Sequence, residues 1–509
     1  MKKKLFLKNA LVLTAITLVT RSLGIFFRIY ISGKIGAEGI GLMGLAMTVY
    51  AFSATFATSG ISLTVTRLVT DTLARNNKSG ALFAVKRCVA FSVIMSTAVG
   101  ICLFFFAEDI GIYFLNDGRS VLSLKVLSAS LPFMAASSCL RGYFFARRQG
   151  IKTALEQLLE QVCEIGVFMT VSLRFLPMGL EYACCGVVLG TTLAEFFSFL
   201  FSLALYIHDV KRLGEKSERI PGFLRKSLAI GTPVTLSSCL RSGLSMGENV
   251  LIPYGLKKYG ADSKTALGEY GKITGMAMPV LIFPNVFLYS FAMLMIPEMS
   301  EAKISGNNKS ISRMAQRVMK FSLLFSICTA TLFLFFGDDI ASLIYGDKNI
   351  GIFIKILAPL IPLLYLDQVV DGMLKGLNEQ LHYLMYNIID SVTRVILTFT
   401  LLPFMGTKGV IVVYYVSAIL NSGLSTLRLI KVANIDMKIF QWIILPLIFG
   451  VVSGSVSVLL LPSYSENDFF LTATKCVLFI CVYVFLIFLK DFLKKLFSEK
   501  TKEKGAYQR

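Results

Sequence analysis

Charge is scarce in this chain. Aspartate, glutamate, lysine and arginine make up 16% of its 509 residues, while 55% are hydrophobic. A soluble protein of this length needs more charge to cover its surface, so the composition excludes a water-soluble body and makes the bilayer the main solvent. Histidine is almost missing: His208 and His382 stand alone, which removes a Ser–His–Asp set. Nor do the ten cysteines form a metal or disulfide pattern. Cys184 and Cys185 are adjacent, which is not a ligand spacing, and the others fall in or beside apolar segments as small buried residues. No phosphate-binding P-loop is present, so ATP hydrolysis by this chain is not expected. Gly39-Ile40-Gly41 sits at a helix edge with no strand before it. These absences point away from an enzyme. No cofactor is expected beyond a coupling ion, H⁺ or Na⁺, or the membrane potential.

What is present is a series of apolar runs at about 9–33, 38–66, 84–106, 120–145, 153–175, 180–207, 226–253, 268–297, 315–336, 350–374, 382–404, 408–431, 438–461 and 469–489. Each is long enough to span a bilayer as a helix, and each is too long and too uniformly apolar for a barrel strand. The expected fold class is an all-α integral membrane protein of about fourteen transmembrane helices. Met1-Lys2-Lys3-Lys4 imitates a signal peptide, but the run continues through Arg21 and Arg28 without a small-residue cleavage site, so it reads as the first span.

The net charge of +20 could suggest nucleic acid, yet the basic residues sit in short loops between apolar runs. Membrane lipids are the expected partner and nucleic acid is not. Basic loops (Arg67, Lys78, Lys86 and Arg87; Arg147, Arg148 and Lys152; Lys211 and Arg212; Lys303, Lys309 and Arg313) alternate with acidic ones (Glu108, Asp109 and Asp117; Asp338, Asp339 and Asp347; Glu466 and Asp468). The positive-inside rule then puts both termini in the cytoplasm. One loop departs from the pattern, placing Lys257, Lys258 and Lys264 outside.

The chain also repeats itself. A shift of 230 lays Phe105-Phe106-Ala107-Glu108-Asp109-Ile110 over Phe335-Phe336-Gly337-Asp338-Asp339-Ile340, Pro132 over Pro362 and Gly142 over Gly372. The expected organisation is two six-helix halves, 1–220 and 221–436, then a helical pair at 437–489 and a basic cytoplasmic tail at 490–509. Halves with an even number of spans run parallel, an arrangement of secondary transporters that work by alternating access around a midplane site.

Ionisable residues inside spans need a partner or a wet cavity. Arg21 and Arg28 lie seven residues apart, on one face of the first span, with no carboxylate before Glu38. One reading is a positively lined cavity able to hold a diphosphate, since guanidinium forks match phosphate oxygens. The other pairs each arginine with an acid on a neighbouring helix. Arg141, Arg241 and Lys272 are further basic candidates for substrate contact. Glu156, Glu160 and Glu164 form an i, i+4, i+8 stripe, and the repeat sets Asp390 opposite Glu160 and Arg394 opposite Glu164. With Glu195, Glu248, Asp367 and Asp371, these serve either structural ion pairing or a coupling cation. Gly231 with Pro233, Pro279 with Pro284, and Pro359 with Pro362 mark expected helix breaks.

Certain stretches resemble a known family. They are Thr20-Arg21-Ser22-Leu23-Gly24 with Arg28 and Gly36-Ala37-Glu38-Gly39, Leu140-Arg141-Gly142-Tyr143-Phe144 leading to Glu160-Gln161, Thr274-Gly275-Met276-Ala277, and Leu364-Tyr365-Leu366-Asp367 leading to Gly376-Leu377-Asn378-Glu379-Gln380. Together they resemble the multidrug/oligosaccharidyl-lipid/polysaccharide exporter superfamily, in its stage V sporulation protein B and polysaccharide-biosynthesis branch, related to the lipid II flippases. The resemblance implies a flippase of the cytoplasmic membrane that carries a polyprenyl-diphosphate-linked saccharide, lipid II or a related polysaccharide repeat unit. It also implies that Arg21 and Arg28 match the family's first-helix arginines. Ala146-Arg147-Arg148 stands where relatives have small or polar residues, and Ser242-Gly243-Leu244-Ser245 with Glu248-Asn249 makes an unusual seventh span.

Two other functions fit the same pattern: a cation-coupled multidrug exporter, which should line its cavity with acids, and a non-transporting scaffold that recruits cell-wall synthesis enzymes. A monomer is expected.

Overall fold

The computed structural model describes residues 2–74, 77–213, 223–461 and 469–506, and among them every regular element is helical. Each of the fourteen apolar runs is helical over most of its length, as a backbone without water must be. The chain is a multi-pass membrane protein of the all-α class. By length and composition, nine helices among the described residues suffice to cross a bilayer, or ten if the pair Gly118–Ser128 and Leu131–Ala146, bent by 47°, forms one span. The fourteen runs outnumber these because Ala15–Ala74 holds two of them, and because charges or breaks interrupt others.

The helices pack into two compact units. The first comprises residues 1–276 with 391–410. It holds α1 (Lys2–Thr58), α2 (Ile61–Ala74), α3 (Lys78–Phe105), α4 (Val121–Ser128), α5 (Leu131–Ala146), α6 (Gly150–Phe175), α7 (Leu180–Leu213), α8 (Phe223–Tyr259) and α9 (Ser263–Tyr270). Helix α1 is interrupted at Gly36, whose φ of 69° and ψ of 179° suit glycine alone. The runs expected at 9–33 and 38–66 lie on either side of this break. Small residues let backbones meet beyond it: a Cβ on Gly271 would sit 1.9 Å from the Ala37 carbonyl oxygen, and one on Gly41 2.1 Å from that of Leu267. The core gathers Val65 and Leu68 of α2, Val85 of α3, Leu140, Tyr143 and Phe144 of α5, and Tyr206 of α7.

The expected break at Gly231 and Pro233 is absent, because α8 runs unbroken through both. Gly231 serves close packing instead. Its carbonyl oxygen lies where a Cβ on Gly60 would come within 2.6 Å, and Thr235 donates to the Ser59 carbonyl at 2.7 Å. Of the three lysines that depart from the loop-charge pattern, Lys257 has local partners: its Nζ donates to the Asn116 carbonyl at 3.0 Å, beside Asp117. Asp117 in turn accepts from Arg119 Nη2 at 2.7 Å, and Arg119 Nη1 reaches Glu38 at 2.8 Å.

The second unit comprises residues 277–390 with 411–509. It holds α10 (Asn285–Ile304), α11 (Asn308–Tyr345), α12 (Lys348–Leu357), α13 (Ile361–Gly376), all but the first turn of α15 (Thr407–Ala433), α16 (Leu445–Leu460) and α17 (Phe469–Ala506). Helix α14 (Gln380–Met405) is divided between the units at Asp390. The chain breaks at Phe283–Pro284, before α10, and passes through a short 3-10 turn at Ala358–Leu360 before α13. Tyr365 donates to the Leu281 carbonyl at 2.6 Å, while Phe479 packs edge-on to Phe336 and Tyr483 donates to the Leu324 carbonyl at 3.0 Å, fixing α17 on α11.

Helix bounds recur at an offset of 230 residues. Helix α5 (131–146) corresponds to α13 (361–376), and α6 (150–175) to α14 (380–405). The caps recur too. Asn77 and Asn307 each accept a backbone N–H three residues on, at 2.6 and 3.0 Å. Asp117 and Asp347 each accept one two residues on, at 3.0 and 2.9 Å. The left-handed residue after α5, Arg148 (φ 58°), has its counterpart in Asn378 (φ 56°) after α13.

Candidate functional site

The α6 stripe builds the main charge cluster of the first unit. Four-residue spacing sets Glu156, Glu160 and Glu164 on one helix face, and that face turns inward. From α5, Arg141 approaches Glu156 Oε1 at 3.3 Å and Glu160 Oε2 at 3.7 Å, with its side chain only 18% exposed. From α7, Ser198 donates to Glu156 at 2.9 Å and to Glu160 at 3.3 Å. Thr191 and Gln161 donate to the two oxygens of Glu164 at 2.8 and 3.0 Å. Glu195 is buried within Coulomb range of Arg141. Three carboxyls thus share the Arg141 guanidinium inside a helix bundle, with Glu164 beside them. Three carboxylates around one guanidinium carry excess negative charge, which protonation of a carboxyl or binding of a small cation would offset.

Helix α1 lies alongside. Gly24 lets Gln161 approach, since a Cβ there would be 2.9 Å from its amide oxygen, and Phe27 meets Phe168 edge-on at 5.5 Å. This contact brings Arg28 within Coulomb range of Glu164. Arg21 and Arg28 are both exposed. A charged side chain that is exposed on a spanning helix requires water or a polar ligand, because hydrocarbon cannot solvate it.

The remaining candidates are placed apart from this cluster. Arg241 is exposed on α8, and Lys272 pairs with Glu269 at 3.1 Å. Glu248 is buried and paired with Arg394 at 2.9 Å. In the second unit, Asp367 accepts from Asn421 at 2.9 Å, and Asp371 and Asp390 lie within its electrostatic neighbourhood. Lys375 sits over the Tyr383 ring at 4.2 Å. The structure therefore brings together Arg141, Glu156, Glu160 and Glu195, then Arg28 with Glu164, then Glu248 with Arg394, and separately the three aspartates.

Sequence reasoning missed the neutral donors: Gln161, Thr191, Ser198 and Asn421. Serine and threonine are common in spans and bond to their own helix, so their presence alone carries little signal. The spacing of Glu195 and Ser198, three apart on one face of α7, was the readable clue.

The sequence matches the family described as polysaccharide biosynthesis protein over residues 6–303, and the family described as MatE over residues 241–400. It is 26% identical over 97% of its length to stage V sporulation protein B of Bacillus subtilis (strain 168), covering 98% of that protein. To the lipid II flippase MurJ of the same organism it is 21% identical, over 86% of this chain and 89% of that one. A solved structure of the lipid II flippase MurJ in an inward closed conformation shares the fold with a TM-score of 0.72 at 15% identity, covering 95% of this chain and all of the other.

Proposed function

The chain belongs to the polysaccharide biosynthesis protein family, and from that premise we propose that it is a flippase moving a polyprenyl-diphosphate-linked saccharide across the cytoplasmic membrane by alternating access. The observation that carries this reading is the exposed pair Arg21 and Arg28 on one face of α1, beside an acidic stripe whose carboxylates already have donors. Exposed guanidinium groups match the oxygens of a diphosphate in charge and geometry. The similarity to a lipid II flippase supports a peptidoglycan precursor or a related repeat unit as the cargo. Arg141 acts in this scheme by holding Glu156 and Glu160 together, while Glu164 and Glu195 are the groups placed to take a coupling proton or cation. Arg241 and Lys272 are secondary contacts for the anion. Loop charge supports cytoplasmic termini, and the 230-residue offset supports two halves, 1–220 and 221–436, with 437–489 appended.

A second reading, a cation-coupled exporter, has its own support in the MatE match and in the half-buried Asp367 and Asp371 with the buried Asp390. Binding of a polyprenyl-diphosphate saccharide to the purified protein separates the two. The flippase reading expects saturable binding that falls at least about tenfold in Arg21→Ala/Arg28→Ala, as loss of two charge-assisted contacts implies. Binding of a cationic drug but not of the lipid would favour the exporter.

A further inference from the structure

A cavity of about 300 Å³ opens in the first unit where α2 ends, α3 begins and α5 ends. Its walls include Leu73 and Leu82, the buried Tyr143, and three cations, Lys78, Arg147 and Arg148; no acidic side chain is among the described residues that line it. Asp209 of α7 is buried behind the wall and already engaged. It is ion-paired with Arg147, lies 3.5 Å from Lys152 Nζ, and accepts from the Tyr143 hydroxyl at 3.1 Å. Arg147 also donates to the Tyr143 oxygen at 2.9 Å, so its guanidinium is held at the cavity wall by two partners.

The equivalent corner of the second unit shows what this one is not built for. At the 230-residue offset, Leu73 corresponds to Lys303, Arg147 to Leu377 and Arg148 to Asn378. Lys303 Nζ fills its corner by donating to the Leu377 carbonyl, and Asn378 occupies the left-handed position, a residue type enriched there. In the first unit a leucine leaves the corner open, and an arginine takes a left-handed position that costs it backbone energy. The turn itself does not require that charge.

We infer that this cavity is a binding site for a phosphate group, the anion being held by Lys78, Arg147 and Arg148 above a leucine-lined floor. Phosphate diesters of a membrane lipid and free phosphate share the chemistry; the apolar floor and the basic loops around it suit the lipid headgroup. The site stands apart from Arg21 and Arg28 and does not depend on the transport reading.

The test titrates the full-length protein in neutral detergent with short-chain phosphatidylglycerol, with inorganic phosphate and with short-chain phosphatidylcholine, reading binding by calorimetry. Lys78→Gln/Arg148→Asn is the variant, since both side chains are exposed and asparagine suits the turn. Arg313→Gln, exposed near the start of α11, is the control. Saturable binding of phosphatidylglycerol that weakens roughly tenfold or more in the variant and not in the control supports the site. Competition by inorganic phosphate identifies the phosphate as the recognised group, and its failure to compete identifies the whole lipid headgroup. Equal affinity in variant and wild type, equal binding of phosphatidylcholine, or no saturable binding of either anion overturns it. Unchanged melting temperature without ligand shows that the variant is folded.

Discussion

Helices α5 and α13 have the same length, the same proline near their start and the same 230-residue register, yet they carry opposite charge at the same place: Arg141 on α5 corresponds to Asp371 on α13. Around Arg141, three carboxyls are drawn in from α6 and α7. Around Asp371 lie Asp367 and Lys375, and Asp367 in turn is near Asp390 and accepts from Asn421. One frame therefore holds an arginine-centred cluster in the first unit and an aspartate-centred one, with a lysine beside it, in the second. The difference teaches that helix geometry and the charge it presents are set independently. The frame follows from length, caps and proline positions, whereas the single residue at the centre decides what the cluster can accept.

The largest effect should come from breaking that centre. Arg141→Ala strands Glu156 and Glu160 without their guanidinium and should destabilise the protein by roughly 3–5 kcal/mol, the range for half of a buried pair. The equivalent change, Asp371→Asn, removes one of several like charges and should leave stability within about 1 kcal/mol of wild type. Thermal unfolding in detergent compares the two. If Arg141→Ala melts like the wild type, the cluster is not centred on that residue.

A smaller effect separates the paired loop caps. Burial pushes the Asp117 carboxyl up, but hydrogen bonds from the Arg119 side chain and backbone, with the arginine's charge, outweigh it and hold it below the ordinary carboxylate range. Its stabilisation is therefore present above the unfolded value of about 3.9 and lost as pH falls through the lower folded one. Asp117→Asn should remove this part of the acid sensitivity. At the counterpart position Asn349 stands where Arg119 does, and Asp347→Asn should change stability little, because asparagine caps as well as aspartate. Melting curves between about pH 5 and pH 3 measure the contrast.

Much of this architecture was legible because long apolar runs in a bilayer have one solution. Glu156, Glu160 and Glu164 were readable as a stripe because four-residue spacing is a property of one helix. Which cation they would meet was not, because Arg141 comes from another helix and Arg28 and Arg241 were equal candidates by type. Gly231 and Pro233 misled for a related reason: the same residues that break a helix also permit close approach, and only the neighbour at Gly60 distinguishes the cases. Lys257 looked like an error in the loop-charge pattern until Asn116 and Asp117 were seen beside it.

Transport itself is the most direct test of the central claim. The protein is reconstituted into liposomes containing a fluorescent polyprenyl-diphosphate saccharide, and the label reaching the far leaflet is measured for wild type and for Arg21→Ala/Arg28→Ala. A flippase gives protein-dependent translocation that the variant loses while still folded. No translocation above protein-free liposomes, from protein that is folded and correctly inserted, would contradict the account.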